Sequence, residues 1–150
     1  MERKHRNLNI ALFCIYGAIM LWLLFDRVGG IEGMPYWNQI RANLNLEPFH
    51  TIRLFLKVLD SQVYSASAII NLGGNVIMFI PLGFFLPLVF PALGKFWRTI
   101  LATALIIIAV ELTQLFTLLG SCDIDDLILN VVGAAIGYSL FKCLTKKPAQ

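Results

Sequence analysis

Charged residues are scarce in this chain of 150 residues, where Asp, Glu, Lys and Arg together account for 14% and hydrophobic residues for 58%. The mean hydropathy is +0.75. Soluble globular domains carry about 25% charged residues. The composition therefore excludes an ordinary soluble domain and predicts a single domain, residues 1–150, that is largely surrounded by lipid.

The chain also lacks the motifs of common nucleophilic and metal-dependent enzymes. It contains no GxSxG, HExxH or phosphate-binding GxxxxGK[ST] sequence, and its three cysteines, Cys14, Cys122 and Cys143, form no CxxC pair. We therefore expect no disulfide, no resident metal and no other cofactor. Any catalysis would have to rest on carboxylates and amides.

Four apolar runs come close to the length of about 20 residues that a transmembrane helix needs. They cover residues 8–25, 66–90, 99–119 and 126–144. Pro81, Pro87 and Pro91 are expected to kink or end the second run, because proline removes a backbone donor. The basic N-terminus resembles a signal peptide, but no small-residue cleavage site follows, so the first run is interpreted as an uncleaved span. The pattern predicts an all-α membrane protein with four transmembrane helices.

The Lys and Arg residues lie in the gaps between these runs, so the net charge of +3 does not indicate a nucleic-acid partner. With the N-terminus inside the cell, eight basic residues fall on the inner side and four on the outer side. The inner ones are Arg3, Lys4, Arg6, Lys95, Arg98, Lys142, Lys146 and Lys147. Because basic loops stay in the cytoplasm, both termini are predicted to be cytoplasmic.

The loop between the first two spans, residues 26–65, is long and partly apolar. Apolar residues recur in it at roughly helical spacing and alternate with Arg53, Lys57 and Asp60. The apolar positions are Phe49, Ile52, Phe55, Leu56 and Leu59. This pattern is typical of an amphipathic helix lying in the outer membrane interface. An ordinary loop packed over the bundle remains the alternative.

Polar residues in three spans are predicted to lie at a similar depth in the outer half of the membrane. An ionisable group facing lipid costs roughly 2.5–3.5 kcal/mol, so Glu111 is expected to point into the bundle. One interpretation is an outward-open polar pocket formed by Asn75, Glu111, Gln114, Asp126 and Asn130. The other is hydrogen bonding between helices, for which Asn71 is also a candidate and which contributes about 0.6–2 kcal/mol per pair.

Two further features have both a structural and a functional interpretation. Asp123, Asp125 and Asp126 could bind a divalent cation, but carboxylates before a helix also cap it, and Asp126 is expected to be the cap or a residue of the first turn. Gly133 and Gly137 form a GxxxG pattern that predicts close helix packing, with self-association as one use of it.

The sequences NVIMFIPLG at 75–83, ELTQ at 111–114 and DIDDLILN at 123–130, followed by Gly133 and Gly137, resemble the VanZ-like family of bacterial membrane proteins. NLEPF at 45–49 is similar to that family's interfacial segment, so the resemblance covers residues 44–137. It implies a location in the bacterial cell membrane and a link to lowered susceptibility to teicoplanin-type glycopeptides. It implies no established reaction. Where many members carry an arginine after the third-span motif, this chain has Gly120, Ser121 and Cys122, which argues against anion binding.

Three functions remain open at this point. The leading one is binding of an envelope lipid or cell-wall precursor in the polar pocket, with six candidate ligand-binding residues. These are Asn75, Glu111, Gln114, Asp123, Asp126 and Asn130. The second is a membrane-embedded enzyme that uses Glu111 as general acid or base. The third is a structural partner of another membrane protein, which would depend on the glycine face.

Overall fold

A computed structural model describes residues 3–26, 29–59 and 65–145, without the side chains of residues 3–5, 58–59 and 65–71. The predictions made for the Asn71 side chain, Asp60, Lys146 and Lys147 lie outside the described part. Four long helices correspond to the four predicted spans: α1 (Arg3–Phe25), α4 (Ser65–Val89), α5 (Phe96–Thr117) and α6 (Ile124–Thr145). Each contains a stretch of 18 to 22 residues that is long and apolar enough to cross a membrane.

The second span ends just before the last of its three prolines. Helix α4 contains Pro81 and Pro87 and ends at Val89, two residues before Pro91, which agrees with the prediction that the prolines kink or end this span. Neighbouring helices in a membrane bundle can compensate for the lost backbone donor, which allows proline inside a span. Pro91 instead begins a short 3-10 turn, Pro91–Leu93, where its fixed φ suits the first helical position.

Helices α4 and α6 make the largest contact in the fold and run in the same direction. A Cβ at Gly133 would overlap the carbonyl oxygen of Val76, and one at Gly137 would overlap that of Ile80. A Cβ at Gly83 would likewise overlap the backbone of Ala134. The close packing predicted from the GxxxG pattern therefore occurs within one chain, and this glycine face is occupied by α4.

The hydrophobic core fills the space between these helices and α1 and α5. Its buried residues are Met20, Phe79, Leu82, Leu86 and Ile107, with Phe13, Tyr16 and Leu24 of α1 packed against it. Most other large side chains of α1 are exposed on the surface of the protein. Such an apolar exterior is what a helix in contact with lipid requires.

The long loop before α4 contains two short helices, α2 (Tyr36–Ala42) and α3 (His50–Leu59). Between them, β1 (Leu44–Asn45) pairs in parallel with β2 (Cys122–Asp123), which immediately precedes α6. In α3, Ile52 and Phe55 are half-buried, whereas Arg53 and Lys57 are exposed. A helix therefore exists where the amphipathic pattern lies, and it packs on α4. Helix α2 and the strand pair were not predicted.

Replacing Gly137 with Ala is expected to lower the free energy of unfolding by about 1–3 kcal/mol, because the new methyl group forces α4 and α6 apart. Gly73→Ala is the matched control, since a Cβ there has no atom within 4 Å, and its higher helix propensity should make it neutral or stabilising. Thermal unfolding in detergent measures both. Equal melting temperatures for the two variants would refute the close backbone contact.

Candidate functional site

Two carboxylates at the start of α6 organise the surrounding structure. Asp123 caps α6, because its Oδ1 accepts a hydrogen bond from the backbone N–H of Asp125 at 2.8 Å. Asp125 is fully buried and caps a different helix: its Oδ1 accepts from Phe49 N at 2.5 Å and its Oδ2 from Ile52 N at 3.0 Å. The predicted capping role is thus present in Asp123, and Asp126 lies in the first turn of α6, which is one of the two positions predicted for it.

Asp123 also holds the segment that precedes α3. Its Oδ2 accepts hydrogen bonds from Asn45 Nδ2 at 3.1 Å and from Thr51 Oγ1 at 2.5 Å. The backbone N–H of Cys122 donates to Asn43 O at 2.8 Å. Residues 43–52, which we call the outer segment, are therefore fixed to residues 122–125 by side-chain and backbone hydrogen bonds.

Glu111 connects α5 to this arrangement. It is 7% exposed and points into the bundle, as the cost of exposing an acid to lipid predicts. Its Oε2 accepts a hydrogen bond from the backbone N–H of Asp123 at 3.2 Å. Glu111, Asp123 and Asp125 consequently form one connected group at the end of the bundle that is predicted to face outward.

Most of the remaining candidate residues make further contacts between helices. Asn75 Nδ2 donates to Asp126 Oδ1 and joins α4 to α6. Gln114 Nε2 donates to Leu24 O at 2.7 Å and holds the end of α1. Asn130 is 4% exposed, and its Oδ1 has no hydrogen-bond partner among the described residues. These contacts thus pair Asn75 with Asp126, whereas Gln114 contacts α1.

A cavity of about 220 Å³ lies beside Glu111 and Asp123. It is bounded by α5, the start of α6 and the outer segment, and most of its walls are apolar. Its lining residues are Leu46, Ile108, Glu111, Leu112, Cys122, Asp123, Ile124 and Leu127. None of them is basic, so the cavity has acceptor groups at its edge and no cation to neutralise a phosphate.

A second cavity of about 190 Å³ lies between α1, α4 and α5. Its walls are apolar except for Tyr16, whose hydroxyl already donates to Met78 O at 2.8 Å. It contains none of the candidate residues.

The negative charges beside the first cavity affect the pKa of Cys122, which is half-buried in the turn between α5 and α6. Burial raises the pKa of its thiol, and the negative charges of Glu111 and Asp123 raise it further. The cavity edge is therefore a region of negative potential that disfavours an added thiolate.

Within the described residues, no three His, Cys, Asp or Glu side chains are grouped as a metal site requires. The oxygens of Asp123 and Asp125 instead accept protein N–H and O–H groups. Sequence reasoning missed Asn45 and Thr51, which follow no recognisable spacing with Asp123.

The sequence model of the VanZ/LLP1 family matches residues 10–145 of this chain. A similar protein, named Protein VanZ, from Enterococcus faecium is 27% identical over 134 residues, which cover 89% of this chain and 73% of that protein. No solved structure matches the chain. The family match confirms the resemblance inferred from the polar motifs and includes every residue of the site described above.

Replacing Asp125 with Ala should release the outer segment. Hydrogen bonds to a charged group contribute about 1.5–3 kcal/mol each, so losing two should lower the free energy of unfolding by about 3 kcal/mol or more. Hydrogen–deuterium exchange should show faster exchange at the amides of Phe49 and Ile52. Asp126→Ala is the control, and if it exposed these amides equally, the assigned contacts would be wrong.

Replacing Glu111 with Gln should lower the pKa of Cys122, because one of the negative charges that oppose the thiolate is removed. At a given pH near 8 more thiolate would then form, so alkylation would become faster. The measurement is the pH dependence of Cys122 alkylation, followed by mass spectrometry of its peptide. Asp126→Asn is the control, and an unchanged pH profile in Glu111→Gln would contradict the assigned interaction.

Proposed function

The chain belongs to the VanZ/LLP1 family, and we propose that it lowers bacterial susceptibility to teicoplanin-type glycopeptides by binding an envelope lipid beside Glu111 and Asp123. Family membership and four membrane-capable helices support the broader statement that it is a multi-pass membrane protein. The ligand, the outward direction of the site, the location in the bacterial cell membrane and the phenotype belong to the proposal.

The cavity beside Glu111 is the observation that carries this proposal. Its walls of Leu and Ile side chains suit a hydrocarbon chain. Lipid tails are as apolar as these walls, however, so apolar contact alone gives little preference for one lipid over another. Selectivity then depends on the negative charges of Glu111 and Asp123, which lie next to the apolar walls.

The charge of the lining restricts the headgroup. Phosphate is bound in proteins by Arg, Lys or backbone N–H groups, and no basic side chain lines this cavity. The site therefore favours a lipid whose hydroxyl, amide or amino groups lie next to the chain. Holding such a lipid at the outer surface would change the access of glycopeptides to cell-wall precursors.

Filling the cavity should abolish function without unfolding the protein. Leu112 lines the cavity and is 42% exposed, so Leu112→Trp can occupy the space without displacing the core. Leu101→Trp is the control, since Leu101 is 62% exposed on the same helix and does not line the cavity. Native mass spectrometry should show loss of the co-purifying lipid in Leu112→Trp only.

The same two variants should differ in a susceptible host. Wild type and Leu101→Trp are expected to raise the teicoplanin concentration needed to stop growth, and Leu112→Trp to have no effect. Protection by Leu112→Trp equal to that of wild type, at equal protein levels in the membrane, would rule out the cavity as the functional site.

Glu111→Gln is expected to abolish protection while leaving the protein folded, because an amide of the same size replaces the acceptor charge. Thermal unfolding provides the control for folding. Full protection by a folded Glu111→Gln variant would show that the carboxylate is not part of the function.

A further inference from the structure

One wall of the cavity belongs to the outer segment rather than to a membrane-spanning helix. Leu46, between β1 and α3, lines the cavity and is 61% exposed on its other side. The remaining lining residues lie on α5, on α6 or on the turn between them. The cavity is already open on one side, and movement of the outer segment would widen it without disturbing the packing of α4 against α6.

The contacts that hold this wall are concentrated on the turn before α6. Asp123 accepts hydrogen bonds from Asn45 and Thr51, and Asp125 accepts them from two backbone N–H groups of the same segment. The pairing of β1 with β2 adds the backbone contacts. The wall can thus detach when this small set of hydrogen bonds breaks, because most of its side chains are exposed and add little packing.

The backbone of the outer segment can also adopt a second conformation at Phe49. Phe49 has a φ of +62°, a left-handed conformation that a bulky residue rarely adopts. Its N–H donates to Asp125, and its side chain is 53% exposed, so packing contributes little to this conformation. Without the Asp125 contact, Phe49 would favour a negative φ, which changes the direction of the chain next to Leu46.

We propose that the outer segment is a gate that widens the partly open cavity and so controls the rate of lipid entry. In the closed state, Asp123 and Asp125 hold residues 44–52 and β1 is paired with β2. In the open state, β1 separates from β2, Phe49 leaves the left-handed region, and Leu46 moves away from the cavity. This inference rests on the proposed function, because it concerns access to the same cavity.

A disulfide across the strand pair can hold the gate closed. Leu44 is the direct partner of Cys122 in the parallel pair. Neighbouring strands are about 4.8 Å apart, which is within the Cα separation that a disulfide accepts. Leu44→Cys therefore places a second thiol opposite a native one, and Leu44 is itself exposed.

The experiment measures uptake of a diacylglycerol, which has a free hydroxyl and no phosphate, with a diazirine in its acyl chain by the full-length Leu44→Cys protein in nanodiscs. Photolabelling of the peptides that contain Ile108 and Leu112 reports occupancy of the cavity. The oxidised protein should lose uptake on the time scale at which the reduced protein reaches saturation. Adding a reductant should restore uptake. Leu44→Cys combined with Cys122→Ser, treated with the same oxidant, should behave like the reduced protein.

Opening the gate should have the opposite effect. Asp125→Asn keeps an acceptor oxygen but loses the charge that strengthens both hydrogen bonds, so uptake should become about tenfold faster. This variant tests the proposal independently of the disulfide.

The outcomes separate the gate from the proposed function. Equal uptake by oxidised and reduced protein, with the cavity peptides labelled in both, would overturn the gate and leave lipid binding standing. Absence of label from the cavity peptides in either state would overturn both proposals. Slower uptake by the Cys122→Ser control would assign the effect to the oxidant and overturn the gate.

Discussion

The contact between the backbones of α4 and α6 fixes the positions of the other parts of this structure. Gly83, Gly133 and Gly137 bring the two helices close enough that no Cβ fits between them. Because lipid provides no hydrophobic force between helices, such van der Waals contact is a main source of their association. The depth of α6 beside α4 then sets where its first turn lies. That turn carries Asp125 and Asp126, and Asp123 directly precedes it.

The carboxylates at the start of α6 accept hydrogen bonds from polar groups that are removed from water. Without these acceptors, burying the polar groups would cost free energy. The first turn of α3 has backbone N–H groups without helical partners, and Asp125 accepts two of them. Asp123 caps α6 and simultaneously binds Asn45 and Thr51. Hydrogen bonds to charged acceptors are stronger than neutral ones, particularly where the local dielectric is low. A segment with few buried side chains is thereby kept in one conformation.

Several of these features follow from the sequence because a general physical cost determines them. The spans follow from apolar runs of sufficient length, and the inward position of Glu111 follows from the cost of exposing an acid to lipid. The tight packing at Gly133 and Gly137 follows from the small-residue pattern. The hydrogen-bond partner of each polar side chain does not follow from the sequence. Gln114 shares a helix face with Glu111 but donates to the end of α1.

The parts that sequence reasoning missed involve partners with no chemical signature. Asp125 binds backbone N–H groups, which every residue except proline has, so its partners Phe49 and Ile52 cannot be recognised by residue type. The strand pair joins residues 78 positions apart and contains only two residues on each side. Nothing in so short a strand creates an alternating pattern. Which of the three prolines ends the second span does not follow from the sequence either, since the effect of a proline inside a helix depends on the neighbours of α4.

The structural and functional interpretations of the acids therefore do not exclude each other. Interhelical hydrogen bonding and a ligand pocket were alternatives as long as the same side chains had to perform only one role. Here Asp123 holds the outer segment and also stands at the edge of the cavity that Leu46 of this segment lines. A ligand that accepted or replaced one of these hydrogen bonds would loosen the wall beside it. Binding and opening would then be coupled through a single carboxylate, since its hydrogen bonds to the wall and to the ligand draw on the same oxygen atoms.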